Sequence, residues 1–275
     1  MSLIIDDIKY FVVISETLNI TRASEIIGIS QPALSYAIKR LENELGGQLL
    51  IRLKNGIQLT KLGETFKHRT NRLIYEWTQA QNLANSESGL GSYTFAIHPS
   101  VALSTIEYFI PQLQSTFPKL NFNFIHGLSR EMTEKVISWE ADFGIVVNPV
   151  EHLDLVIKKL YSDEVSIFSV NNTKDKLILD PRLAQSQHIL KRINKEADFH
   201  GIINSANLEV VAKLTSLGLG YGILPSRIAS QYNLQRLKNT PIFEDEICLV
   251  YRPEKHRNVT SQEIIKIISL TLKKI

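Results

Sequence analysis

The spacing of apolar residues changes period along the chain, and the change divides it. In the first ninety residues the apolar positions recur every three or four places, the spacing of amphipathic helices. Ile8, Phe11, Val12 and Ser15 give a first helix an inward face, with Asp6 or Asp7 as its cap and an end near Thr17. Thr21 caps a short second helix, Arg22 to Ile27, with Ala23, Ile26 and Ile27 inward and Gly28 as its stop. Ser30 opens a third helix with Pro32 in its first turn, and Gly46 closes it. Leu34, Ala37, Ile38, Leu41 and Leu45 form its buried face, while Gln31, Pro32, Ser35, Tyr36, Lys39 and Asn43 lie on the other. Two helices joined by a tight glycine-containing turn make a helix-turn-helix.

Alternation takes over after Gly46. Leu49 to Thr60 reads as two short strands around Asn55-Gly56, a dipeptide favoured in hairpin turns, with Arg52 and Lys54 projecting from this wing. Thr60 then caps a long helix, about Lys61 to Ala84. On it Phe66, Thr70, Leu73, Trp77, Ala80 and Ala84 alternate in steps of four and three, the spacing of a two-helix seam. Residues 85–92 are rich in Ser and Gly and read as a linker.

From residue 92 onward short apolar runs alternate with helical stretches. Tyr93 to His98, Leu120 to Ile125 and Ala141 to Val147 read as strands, and helices fill the gaps between them. This is a βαβ pattern and predicts a mostly parallel sheet. Ligands bind such sheets beyond the carboxyl ends of the strands. Three loops therefore converge: His98-Pro99-Ser100, Gly127-Leu128-Ser129 and Val147-Asn148-Pro149. Ser100 and Ser129 either meet a ligand or cap their own helices, and His98 is either a ligand contact or a structural strand-end residue. A second α/β lobe follows. It has strands at Asp163 to Val170, Leu177 to Asp180 and Ile247 to Tyr251, a helix from Ser186 to Ile193, and another helix after Asn204-Ser205. Ser261 to Lys273 is a C-terminal amphipathic helix. The run Gly218 to Pro225 follows a helix and lacks dinucleotide-loop spacing, so it is not a nucleotide motif.

Composition narrows the chemistry. The chain has 275 residues, 44% hydrophobic, enough for two domains with real cores. The formal net charge is only +3, but residues 39–72 hold eight Lys or Arg against three Glu. That local patch suits phosphates, and the polar face of the third helix suits base edges in a major groove. The one cysteine, Cys248, excludes an internal disulfide and a cysteine-based zinc site. The N-terminus lacks the features of a secretory signal, and no run approaches about 18 apolar residues, so a cytoplasmic protein without a membrane span is expected. No phosphate loop, no metal-binding His-Glu-x-x-His and no nucleophile elbow occurs, so neither an enzyme, a cofactor nor a metal is expected.

Residues 8–64 resemble the winged helix-turn-helix of LysR-type transcriptional regulators. The likeness rests on Thr21-Arg22-Ala23-Ser24, on Ser30-Gln31-Pro32-Ala33-Leu34-Ser35, and on Leu41-Glu42 before Glu44-Leu45-Gly46. Tyr36 stands where that family usually has Arg, and Leu50 where Phe is common. The second half resembles the effector-binding domain of the same family, through Ile110-Pro111, Ala141 to Val146 and Leu214 to Pro225. The resemblance implies a multi-domain chain: an α-rich winged helix-turn-helix at 1–60, a dimerisation helix and hinge at 61–91, and a two-lobed α/β domain like type 2 periplasmic binding proteins at 92–275. Lobe I would span about 92–162 and 252–275, and lobe II about 163–251. The second lobe is shorter than usual between Val170 and Ile202.

The implied function is sequence-specific binding of double-stranded DNA at promoter half-sites by a homodimer or homotetramer. DNA would meet Thr21, Arg22, Ser30, Gln31, Pro32, Ser35, Tyr36, Lys39, Arg40, Arg52 and Lys54. A small effector, polar or anionic, would meet His98, Pro99, Ser100, Ser129, Asn148, Asn204 and Ser205. Phe66, Thr70, Leu73, Trp77 and Ala80 would pair two subunits. The alternative is a DNA-binding regulator whose second domain binds no ligand and serves assembly. A solute-binding protein is a third possibility, disfavoured by the N-terminal motif.

Overall fold

In the computed structural model, which describes residues 2–53, 56–84, 91–170, 175–193 and 199–273, the chain begins with three short helices. They are α1 (Ser2–Thr17), α2 (Ile20–Ile27) and α3 (Gln31–Leu45). β1 (Leu50–Leu53) and β2 (Gly56–Leu59) follow, then α4 (Lys61–Ala84). These elements belong to the first of two compact units, residues 1–91 with 138–140; the second holds 92–137 and 141–275. Phe11, Ile14, Leu34, Ile38, Leu41 and Leu49 make the core of the first unit.

Three expected details differ. Asp7 does not cap α1 but lies buried inside it, where its carboxylate accepts two bonds from the Arg40 guanidinium, at 2.7 and 2.5 Å. Asn19, not Thr21, caps α2: its Oδ1 accepts the Arg22 N–H at 3.1 Å, two residues earlier than the sequence pattern indicates. Ile26 and Leu45 are exposed. Both sit at the edge of a short helix, whose single buried stripe is already filled by residues one turn away.

The wing forms in the expected place, with Leu50 opposite Leu59 and Leu53 opposite Gly56. Its turn residues Lys54 and Asn55 lie outside the described residues. Thr60 caps α4 as expected: its Oγ1 accepts the Gly63 N–H at 2.9 Å and donates to the Gln48 carbonyl at 2.7 Å.

The second unit holds one mixed sheet. Its elements are β3 (Ser92–Ile97), α5 (Pro99–Thr116), β4 (Asn121–His126), α6 (Ser129–Ile137), β5 (Phe143–Val147) and β6 (Val156–Ser169). Then come β7 (Leu177–Leu179), α7 (Ala184–Arg192), β8 (Ile202–Asn204), α8 (Leu208–Ser216), β9 (Tyr221–Pro225) and α9 (Ser226–Ala229). β10 (Gln235–Arg236), β11 (Phe243–Tyr251) and α10 (Val259–Leu272) complete it. The strand order is β4-β3-β5-β11-β6-β9-β7-β8, with β10 beside β6. β3 runs parallel to β4 and β5, and β7 parallel to β8 and β9.

Two long antiparallel strands, β6 and β11, join these parallel halves. The amino end of β6 and the carboxyl end of β11 lie in the first lobe, where Ile247–Tyr251 pairs with β5. Their opposite ends lie in the second lobe, where Val165–Phe168 pairs with β9. β6 starts at Val156, well before the Asp163 read from the sequence, where Lys158 and Lys159 hide the apolar pattern that marks a strand. The glycine-rich run after α8 is packing chemistry. A Cβ on Gly220 would lie 2.5 Å from the Lys176 carbonyl oxygen, and one on Gly222 would collide with Thr215. Phe95, Phe109, Phe143 and Leu249 anchor the first lobe's core; Phe168, Ile178, Val211 and Leu224 anchor the second's.

Candidate nucleic-acid interface and effector cavity

α3 is defined at both ends by its own sequence. The Ser30 hydroxyl oxygen accepts the Ala33 N–H at 3.3 Å, and Gly46 ends the helix at φ +69°. Leu34, Ala37, Ile38 and Leu41 are buried against α1 and α2. This leaves Gln31, Pro32, Tyr36, Lys39 and Asn43 exposed, with Ser35 half-buried beside them. Tyr36 is 68% exposed. Thr21 and Arg22 on α2 and Arg52 on β1 are exposed as well. Lys54 lies outside the described residues.

Two expected contacts are already occupied. The Ser30 hydroxyl is engaged as a cap. Arg40 is tied to Asp7 and stands 5.8 Å from the centre of the Tyr36 ring, so it braces the face from behind. Sequence reasoning missed Glu42, whose Oε1 accepts the N–H groups of Leu49 at 2.7 Å and Leu50 at 3.2 Å. That side chain fixes the wing to α3.

On α4 the expected seam divides. Phe66 packs on Phe11, with ring centres 5.3 Å apart, and Thr70 is buried with its hydroxyl donating to the Phe66 carbonyl. Both face the unit's own core. Leu73, Trp77 and Ala80 remain exposed.

The second unit contains a cavity of about 720 Å³. It opens beyond the carboxyl ends of β3 and β5, where His98, Ser129 and Asn148 line it from the first lobe; Gln185 and Arg227 line it from the second. Asn148 adopts φ +48°, a conformation asparagine tolerates. Its Nδ2 donates to Asp245 at 3.0 Å, and its Oδ1 accepts the Glu246 N–H at 2.7 Å. Ser129 does not cap its own helix; its Oγ accepts the Val147 N–H at 3.0 Å and ties α6 to β5.

His98 caps α5 through Nδ1, which accepts the Ser100 N–H at 3.3 Å and lies 2.9 Å from the Ser100 hydroxyl. Burial first, and then the Arg227 charge, hold its pKa down to about 4, so the ring is neutral at pH 7. Pro99 and Ser100 face a smaller adjoining pocket of about 220 Å³, with Asp180, Arg182 and Asn207. Asn204 and Ser205 line neither space. Ser205 spends its hydroxyl on Asn207, whose side chain caps α8, and the neighbouring Ala206 and Asn207 reach the smaller pocket instead.

The polar centre of the cavity was not anticipated. Arg227 donates through Nη1 to Asp163 at 2.7 Å and to Asp245 at 3.3 Å, and through Nη2 to Ser100 at 3.4 Å. Gln185 donates to Asp245 at 2.8 Å. The sequence did not single these aspartates out, because Glu164 flanks Asp163 on β6 and Glu244 and Glu246 flank Asp245 on β11. The arrangement can hold and orient a small molecule. Among the described residues no cluster of His, Cys, Asp or Glu could hold a metal ion, and no helix is long and apolar enough to cross a membrane.

Comparison with known proteins agrees with this geometry. Residues 5–64 match the family described as "Bacterial regulatory helix-turn-helix protein, lysR family", and residues 86–270 match "LysR substrate binding domain". The HTH-type transcriptional regulator CysL of Bacillus subtilis is 29% identical over 168 residues, 60% of this chain and 56% of that protein. This chain thus spans little more than half of CysL. AlsR of the same organism is 25% identical over 283 residues, covering 90% of each. A full-length OxyR structure from Pseudomonas aeruginosa superposes with a TM-score of 0.67 at 19% identity, over 99% of this chain and 95% of that one, a likeness of fold. These relatives are regulators and not enzymes. A winged helix-turn-helix followed by a two-lobed substrate-binding domain, each matched at its own residues, places this chain in the LysR family of transcriptional regulators.

Proposed function

We propose that the protein binds promoter DNA as a homo-oligomer and that a small molecule in the 720 Å³ cavity sets its activity. The observation that carries this reading is the outer face of α3, where Gln31, Pro32, Tyr36 and Lys39 stand exposed on a helix braced from behind by Arg40 and Asp7. Gln31, Ser35 and Tyr36 would read base edges; Lys39, Arg22 and Arg52 would meet phosphates. Residues 1–60 would form the DNA-binding domain, α4 with Leu73, Trp77 and Ala80 would pair two subunits, and residues 92–275 would sense the effector. Two subunits would place their α3 helices in successive major-groove half-sites.

The effector acts only if it binds two arrangements of the protein with different affinity. The strands β6 and β11, which run through both lobes beside the cavity, are the elements such a change would bend. Fluorescence anisotropy with duplexes from upstream of the protein's own gene tests the reading. Wild type should discriminate among them, and Lys39→Ala should weaken all of them alike and lower the salt slope by about one. Equal affinity of wild type for every duplex would refute it. DNA recognition with no small molecule ever stabilising the protein would favour the ligand-free alternative.

A further inference from the structure

The cavity floor holds a set of charges that do not balance. Asp163 on β6 and Asp245 on β11 are directly opposite each other in the antiparallel register. Like charges in that position repel. Both are deeply buried, their side chains 10% and 2% exposed, and one guanidinium, Arg227, is shared between them. The other donors to Asp245, Asn148 Nδ2 and Gln185 Nε2, are neutral amides. Burial pushes the Asp245 carboxyl above its usual range, against the pull of Arg227. Arg182 does not make up the deficit, because Asp180 already engages it at 3.1 and 2.8 Å.

A second observation concerns a donor. The Arg227 side chain is only 7% exposed and lines the cavity, yet its Nε has no acceptor among the described residues. A buried donor left unpaired costs free energy that a bound acceptor would recover. The site therefore lacks one positive charge beside Asp245 and one acceptor beside Arg227. The wall around these groups offers apolar contacts from Leu128, Ile137, Leu183 and Ile223, with Arg130, Glu134 and Glu151 also on the lining.

We infer that the effector is a zwitterion of the amino-acid type, with its ammonium against Asp245, its carboxylate against Arg227 and an apolar side chain along the cavity wall. The inference rests on reading this cavity as the effector site. It narrows the polar or anionic ligand expected from the sequence to one that carries both charges.

Matched probes on one carbon frame test it. Calorimetry on the full-length protein would compare L-phenylalanine, phenethylamine and 3-phenylpropanoate, and then L-leucine, isopentylamine and 4-methylpentanoate. In at least one frame the amino acid should bind at least about tenfold more tightly than the amine and the acid, each of which lacks one charge-assisted contact. Asp245→Asn should cost the amino acid about tenfold or more and leave the acid unchanged, an outcome that a loss of folding would not produce. The wild-type series stands alone if that variant does not fold. Equal or tighter binding of the acid removes the ammonium contact, and equal or tighter binding of the amine removes the carboxylate contact. Either result overturns the zwitterion while the effector cavity stands. Failure of all six to bind overturns the zwitterion with an apolar side chain, whereas the effector reading falls only if no small molecule stabilises the protein.

Discussion

His98 sits buried with its Nδ1 committed to the Ser100 N–H, so the neutral ring is the form that folds. An unfolded chain takes up a proton on this residue below pH 6.5, while the folded chain refuses it until about pH 4. The contribution to stability is therefore full above pH 6.5 and is lost as pH falls through that window, by at most about 3 kcal/mol. Thermal unfolding followed from pH 7 to pH 4 should show the loss. His98→Asn, which keeps a capping side chain, should show a shallower slope across the same range. Single residues whose role is local were legible in the sequence: Ser30, Gly46 and Thr60 define helix ends by chemistry that needs only their neighbours. The Arg227–Asp163–Asp245 group was not, because its members lie on different elements and meet only once the sheet is assembled. The same holds for the Arg40–Asp7 pair, whose members lie on α3 and α1 and meet only in the fold.

Among the elements, the wing depends on α3 for its position. Glu42 accepts two N–H groups at the start of β1, and removing it leaves them without that partner. Glu42→Ala should lower stability by about 1–3 kcal/mol in denaturant titration and weaken DNA binding even though the Glu42 carboxylate is spent on the wing. A variant that binds DNA as wild type does would show that the wing needs no such anchor. α4 offers a second test. Its amino-terminal half packs on its own unit through Phe66 and Thr70, and beyond them Leu73 and Trp77 are exposed. Trp77→Glu should halve the mass in solution if Leu73, Trp77 and Ala80 pair two subunits; an unchanged mass would remove the seam. Heptad spacing alone placed Phe66 and Thr70 in that seam, because periodicity identifies a face but not what covers it.

At the scale of the whole molecule, the order of helices and strands was legible because each βαβ step carries its own periodicity. The crossover was less so. β6 and β11 serve both lobes, and the boundaries drawn at 162/163 and 251/252 fall within β6 and at the end of β11. A strand that changes lobes midway has no break in its sequence to mark the change. Asp245, which lines the cavity, lies on β11, one of the two strands that join the lobes, so in the proposed function a ligand bound there would act on the joint. The central claim, that this is a sequence-reading regulator working through the exposed face of α3, is most directly tested by selection from a random-sequence DNA library. Wild-type protein should enrich a two-fold-symmetric motif with half-sites about 10 bp apart or a multiple of it, and Gln31→Ala with Ser35→Ala should change the bases within each half-site and keep the spacing. No enriched motif from wild type, or the same motif from the double variant, would contradict the account.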